Sequence, residues 1–398
     1  MPKKSKSSSL NRNITTVITI AVLVLAAIFV FTGNDYLGLF TPAATSTANN
    51  APFATAAPDT AETNSPGGNW WAVYFTDPAT INNPEDLSGS IPEQLITLID
   101  HAEQSIHIAA FEFNLTPVAE ALIAAQARGV EVQWMTDDEH GIDADEEEGH
   151  GQFEMLEDAG IEVRDDERSA LMHNKFIIFD RQTVWTGSTN LTRNGNFRNN
   201  NNVIVIRSAK VAEMFEREFA EMWAGKHGPK SPSTLDLQST RLNGTPIQVL
   251  FAAEDNVISH LVPLVQGAQH SVHFMAFSFT HDGLGDAMLQ LAADGVDVQG
   301  IFETRGSETE YSEMPHLFCA GLPVRQDGNP GTFHHKVIII DGEIVITGSL
   351  NFSENADESN DENVVILRNT DIARLYLQEF DRRWAEATPP DPSAMGCK

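Results

Sequence analysis

Cysteine is nearly missing from this chain: Cys319 and Cys397 are the only two in 398 residues. A disulfide framework of the kind that holds small secreted domains is therefore not expected, nor is a cysteine-based metal centre. Cys319, inside Leu-Phe-Cys-Ala, reads as a small core residue, and Cys397, one position from the end, as frayed. Basic residues are scarce too: 25 Lys and Arg stand against 56 Asp and Glu, a formal charge of −31. Such a charge favours solubility and opposes nonspecific binding to polyanions. It argues against a general nucleic-acid binder, which would carry a basic patch, although a local basic pocket stays open. The acidic stretch from Asp137 to Glu148 lacks calcium-loop spacing and the glycine that such a loop needs, so it reads as a solvated charged loop.

One long run lacks charge of either sign. Ile14 to Thr32 is apolar, and Lys3, Lys4, Lys6 and Arg12 precede it. A run of about 20 such residues spans a bilayer as a helix. The basic flank stays in the cytoplasm, which sends the rest outside. Residues 1–13 thus form a cytoplasmic flank and 14–33 a single-pass anchor in the cell membrane, with the remainder extracytoplasmic. A cleaved signal peptide, giving a secreted protein, is the alternative. Residues 34–69 are rich in Ala, Thr, Pro and Asn without periodicity and read as a disordered stalk.

Beyond residue 69 the sequence is built twice. Apolar, β-branched runs alternate with helical spacing, as from Trp71-Ala-Val-Tyr-Phe75 through Leu95, Leu98 and Ile99 to Ser105–Phe113. The pattern His-x-x-Ala-Phe-x-Phe occurs at His107 and again at His273, and both copies end in E-F-x-x-x-W, at Glu218 and Glu379. Alternating strands and helices imply an α/β unit, and the echo implies two of them in tandem. The expected boundaries are 70–225 for the first repeat, 226–245 for a linker, 246–388 for the second repeat and 389–398 for a tail. His107 and His273 sit at equivalent places on half-buried strands and read as structural.

The strongest echo is LMHNKFIIFDRQTVWTGSTN, from Leu171 to Asn190, against FHHKVIIIDGEIVITGSLNF, from Phe333 to Phe352. Both read H-x-K-x4-D-x6-G-S-x-N, through His173, Lys175, Asp180, Gly187, Ser188 and Asn190, then His334, Lys336, Asp341, Gly348, Ser349 and Asn351. Phe176–Phe179 and Val337–Ile340 read as buried strands. Side chains alternate along a strand, so His173 and Lys175 share a face. A reversal comes next, where Asp341-Gly342 can supply a primed turn. A hairpin symmetric about that turn sets Lys175 opposite Ser188 and His173 opposite Asn190, and likewise Lys336 opposite Ser349 and His334 opposite Asn351. Imidazole, ammonium, hydroxyl and amide on one face make a phosphate site with a nucleophile in it. No cluster in the motifs has metal-ligand spacing, so neither a metal nor another cofactor is expected.

The doubled motif resembles the phospholipase D superfamily, whose paired HKD motifs build one active site. The resemblance covers roughly Trp70 to Ala387. It implies two tandem α/β repeats, each a mixed sheet flanked by helices, packed pseudo-two-fold with both hairpins at the seam, so that a monomer suffices for a complete site. The implied chemistry is a metal-free, two-step phosphodiester exchange. His173 attacks phosphorus, and His334 protonates the leaving alcohol. Lys175, Lys336, Asn190 and Asn351 hold the phosphoryl oxygens, with Ser188 and Ser349 in support. Asp180 and Asp341 are structural. Twenty-eight residues after His334 stands Glu362, where relatives place a carboxylate that orients the motif histidine; the same place after His173 is Asn201. The expectation is that Glu362 holds His334 as the protonated acid, while Asn201 leaves His173 neutral and nucleophilic. Superfamily members act on phospholipids or on nucleic acids. Location and charge favour phospholipid head groups, hydrolysed or transferred; the alternative is a metal-independent nuclease acting on RNA or DNA. A catalytically silent scaffold is the third reading, and two intact motifs argue against it.

Overall fold

The computed structural model of this protein describes residues 67–397. The basic flank, the segment 14–33 and nearly all of the stalk lie outside the described residues. Among those described, no helix is long and apolar enough to cross a membrane.

Two eight-stranded mixed sheets organise the chain. The first contains β1 (Gly67–Gly68), β2 (Trp71–Phe75), β3 (Ser105–Ala110), β4 (Glu131–Thr136), β5 (Glu162–Asp165), β6 (Lys175–Phe179), β7 (Thr183–Gly187) and β8 (Asn202–Arg207). Their spatial order is β1-β2-β8-β7-β6-β3-β4-β5. The second contains β9 (Ser239–Leu242), β10 (Thr245–Ala252), β11 (Ser271–Ala276), β12 (Asp297–Phe302), β13 (Val324–Gln326), β14 (Lys336–Ile340), β15 (Ile344–Gly348) and β16 (Glu362–Arg368). Its order, β13-β12-β11-β14-β15-β16-β10-β9, repeats the first with β10 to β16 in the roles of β2 to β8.

The central strands are apolar on both faces because both faces are covered. Phe176 and Ile178 of β6 point one way, into a core shared with Val337 and Ile339 of β14, while Ile177 and Phe179 point to an outer core of their own. Ile338 and Ile340 do the same in the second sheet. Between the sheets lie the helices Ala209–Trp223 and Thr370–Glu386, which bury Phe215, Phe219, Tyr376 and Phe380 in that shared core. Their starts are fixed locally: Ser208 accepts from the N–H of Val211, and Asn369 from those of Asp371 and Ile372. Replacing Phe176 with Ala would open a cavity between the layers, at a cost of about 3–5 kcal/mol.

The motif hairpins do not have the expected register. Phe176 pairs with Thr186 and Phe179 with Thr183, which carries Lys175 opposite Gly187 rather than Ser188, and His173 opposite Thr189 rather than Asn190. In the second copy Ile338 pairs with Ile346, so Lys336 faces Gly348 rather than Ser349 and His334 no longer faces Asn351. The cause is in the turn. Asp180 and Arg181 are both left-handed, with φ of 51° and 55°, as are Asp341 and Gly342. That primed turn closes from the N–H of Gln182 to the carbonyl of Phe179, and with Phe179 paired to Thr183 the loop holds three residues, 180–182, one fewer than a register with Lys175 opposite Ser188 needs. Asp180 is tied down by the backbone N–H groups of Glu103, Gln104 and Ser105, and Asp341 by those of Gln269, His270 and Ser271. Both aspartates therefore anchor the turn, away from the histidines.

The cysteines also depart from expectation. Cys319 and Cys397 form a disulfide across 78 residues. The tail after the last helix folds back over the helix Glu313–Cys319 and buries Met395 in the outer core of the second sheet, which brings Cys397 to its partner. An isolated pair far apart in sequence carries no spacing signal by which it could be read.

Candidate active site

His173 and His334 enter the site just before β6 and β14, each tied to the opposite repeat. The N–H of His173 donates to the carbonyl of Asp361 at 2.9 Å, and that of His334 to the carbonyl of Asn200 at 2.9 Å. Matching bridges join Met172 to Asp361 and Phe333 to Asn200. Contact i-to-j mirrored by j-to-i is the signature of a two-fold relation. The Lys175 N–H donates to Asn363 Oδ1, and Asn363 Nδ2 donates to Thr186; Thr347 and Tyr376 donate to Asn202 Oδ1 from the other side.

The exchange reverses the expected partners of the histidines. Glu362 does not hold His334. Its Oε2 lies 2.8 Å from Nδ1 of His173, the histidine of the other repeat. His334 Nδ1 is instead within 3.0 Å of Asn201 Oδ1 and of the Ser188 carbonyl. The segments after each GSxN cross the axis, so each repeat supplies the second partner of its neighbour's ring. With Nδ1 occupied in both, Nε2 is the free nitrogen of each. The serines act one step back. Ser188 Oγ donates to Asn201 Oδ1 at 2.8 Å, and the Asn363 N–H donates to Ser349 Oγ beside Glu362.

Burial governs the charges. It pushes both histidines well below their ordinary range, and the two lysine ammonium groups push them further. Burial also raises Glu362 to about 8, against the pull of Lys175 and Lys336. Lys175 is brought down to about 8 by burial, opposed by Glu362 and then Glu112. Lys336 falls well below its usual value through burial and the charge of Lys175. Each ammonium donates to the carbonyl of its own histidine and lies over a phenyl ring, Lys175 over Phe111 and Lys336 over Phe277. Among the described residues neither lysine has a carboxylate bonded to it, which leaves both able to meet an anion.

Gly187 and Gly348 permit this closeness. A Cβ on Gly187 would lie 2.2 Å from the Asn202 carbonyl oxygen, and one on Gly348 2.0 Å from that of Asn363. Asn190 donates to Glu112 at 3.1 Å, while the buried Oδ1 of Asn351 has no partner among the described residues.

The profile of the family described as cardiolipin synthase, PLD-like domain, matches this chain twice, over residues 95–223 and 261–384. The chain belongs to the phospholipase D superfamily. A mitochondrial cardiolipin hydrolase of Xenopus tropicalis is 37% identical over 135 residues, which are 34% of this chain and 64% of that protein. The chain thus spans less than two thirds of the length of that relative. A phospholipase D of Rickettsia conorii is 30% identical over 146 residues, 37% of this chain and 73% of the relative. The phosphatidylserine synthase of Haemophilus influenzae superposes with a TM-score of 0.58 over 79% of this chain and 87% of its own, at 15% identity, a likeness of fold.

Several residues of this superfamily site gave no sequence signal. Asp137, at the start of the acidic stretch, is buried rather than solvated: its Oδ2 accepts from the Met172 N–H, and its Oδ1 from His140. Glu303 does the same for the Phe333 N–H. Asp145 caps the helix Gln152–Asp158 through three backbone N–H groups. Much of the stretch is thus bonded to the fold. Asp137, Asp138 and Asp166 bring carboxylate oxygens within 4.8 Å of one another, but Arg168 is paired to Asp166 and the Asp137 oxygens are committed as above. His107 is bonded to Glu216 and stacked on Phe219, and His273 lies against Phe380.

Proposed function

We propose that this protein is a phospholipase D-type phosphodiesterase that cleaves, or transfers, the head group of membrane phospholipids through a phosphohistidine on His173. The observation that carries the reading is the unlike support of two buried histidines beside two carboxylate-free lysines. His173 Nε2 attacks phosphorus, and the bond to the leaving alcohol breaks as His334 Nε2–H gives that oxygen its proton. A positive charge builds on the His173 ring as the N–P bond forms, and Glu362 at Nδ1 stabilises it. The charge of the bound phosphodiester offsets the burial and lysine repulsion that lower His334 in the free protein, so the ring carries its proton when the diester is bound; held only by neutral oxygens, that imidazolium surrenders it readily. Water, or another alcohol, then loses a proton to His334 and displaces His173 from phosphorus. Lys175, Lys336, Asn190 and Asn351 face the phosphoryl oxygens, where negative charge accumulates. The assignment of nucleophile agrees with the sequence expectation, but for the opposite electrostatic reason.

The lipid reading draws on the named relatives, on the charge of −31 and on the apolar run at 14–33, taken as a membrane anchor with the site outside. The Cys319–Cys397 disulfide fits an oxidising, extracytoplasmic setting. The test is release of head group from phosphatidylcholine and cardiolipin beside cleavage of single-stranded DNA, each with and without EDTA. Lipid cleavage that survives the chelator, and phosphate trapped on His173 in the quenched protein, is the expected result. DNA cleavage without lipid cleavage would make this a nuclease. Loss in EDTA, restored by one divalent ion, would overturn the metal-free chemistry.

A further inference from the structure

The two halves of the site differ at one position that the reaction above does not use. After β3 the chain reads Phe111-Glu112-Phe113, and after β11 it reads Phe277-Ser278-Phe279. The aromatic residues match in place and role: Phe111 lies against His173 and Lys175, and Phe277 against His334 and Lys336. Between them a carboxylate stands on one side where a hydroxyl stands on the other. Glu112 is half-buried. Its Oε2 accepts from Nδ2 of Asn190, which the reaction proposed above sets against the phosphoryl oxygens, and its charge is felt by Lys175. A negative charge placed beside an anion-binding pocket weakens the binding of every anion, and weakens it most for those with further charge nearby. Ser278 imposes no such cost at the equivalent place. The cation that answers Glu112 is Lys175, the same ammonium an incoming anion would meet, and it feels Glu362 and Asp137 as well; Arg168 is already paired to Asp166 and Asp361.

We propose that Glu112 is a specificity-determining residue, a fixed charge that admits phosphodiesters with a neutral or cationic neighbouring group and disfavours those flanked by further phosphates. Resting on the lipid reading, this names the substrate more closely. Zwitterionic phospholipids, one phosphate beside an ammonium, fit the site; cardiolipin and polynucleotides, with phosphates in series, are opposed by it. The effect is one of Coulomb repulsion and does not require contact between Glu112 and the head group.

Two variants separate charge from structure. Glu112→Gln keeps an oxygen for Asn190 and removes the charge; Glu112→Ser reproduces the second repeat. The full-length protein in neutral-detergent micelles is assayed on phosphatidylcholine and cardiolipin, and calorimetry measures binding of inorganic phosphate and pyrophosphate to the same proteins. In both variants the preference for phosphatidylcholine over cardiolipin in kcat/KM should shrink about tenfold, through KM, and pyrophosphate should tighten more than phosphate by a similar factor. An unchanged lipid ratio with unchanged pyrophosphate binding overturns the proposal. So does an equal fall in kcat on both lipids with unaltered anion affinities, which would make Glu112 a support for Asn190 alone. If wild type cleaves neither lipid, the lipid reading fails by itself, and the two anion affinities still decide the role of Glu112.

Discussion

Nδ1 of His173 and Oε2 of Glu362 lie 2.8 Å apart although they come from different repeats, 189 residues apart in sequence. If this contact stabilises the charge that forms on the ring during attack, Glu362→Gln should lower kcat by about 10²-fold while leaving KM within a few-fold. Steady-state kinetics and mass spectrometry of the quenched enzyme check this together, with less phosphoryl group trapped on His173 in the variant. Asn201→Asp should raise the proton affinity of His334 and slow donation to a poor leaving group more than to a good one. Phosphate found on His334 alone would reverse the assignment of roles.

Lys175 sets an alkaline limit. Burial brings its ammonium down to about 8, so the free enzyme loses that charge as pH rises through this value. The profile of kcat/KM should fall on its alkaline side near pH 8, and that of kcat less so, because a bound phosphate restores the proton. Lys175→Arg, whose guanidinium stays charged, should remove that limb while lowering the maximum rate, since a planar fork does not replace a point charge. An alkaline limb that persists in the arginine variant would point to another group.

A pair of acids, buried Glu218 and half-buried Glu254, makes stability depend on pH. Burial raises Glu254 from 4.5 to about 8, and raises Glu218 well above its ordinary range, where the charge of Glu254 adds to the effect. Between about pH 4.5 and 8 the folded chain binds more protons here than the unfolded one, so stability falls as pH rises across that window. Glu254→Gln removes one of these titrations. Its stability relative to wild type should therefore improve from pH 5 to pH 8, as read by urea denaturation at the two values. A constant difference would contradict the assignment.

The disulfide staples the tail to the helix Glu313–Cys319. Cys397→Ser should lower stability by about 2–4 kcal/mol and expose the tail to carboxypeptidase. Equal resistance of the variant and the wild type to that enzyme would show that the tail is held by packing alone.

Much of the architecture was legible because burial on two faces writes itself into composition. Phe176–Phe179 and Val337–Ile340 read as buried strands and are central ones, and the helical spacing of Leu95, Leu98 and Ile99 falls inside the helix Ile91–His101. The motif histidines and lysines were legible because they occur twice. Register was not, since a turn of three residues in place of four shifts every pairing and leaves no compositional trace. The partnership of Glu362 with His173 was hidden for a different reason. Distance along the chain assigns Glu362 to the nearer His334, and only the crossing of segments at the seam sends it to the other ring. Asp137 was misread because an acidic residue in an acidic stretch carries no mark of the backbone N–H it serves.

The exchange of partners at the seam has a consequence for how two such histidines can come to differ. In a symmetric dimer of identical chains, whatever residue one histidine meets, its mate must meet as well. Glutamate could serve both rings or neither, and one ring could not specialise in attack while the other specialised in giving up a proton. Joining both copies in one polypeptide lifts that restriction. Glu362 and Asn201 can then be chosen separately, and so can Glu112 and Ser278, while the two sheets that carry them remain interchangeable in plan.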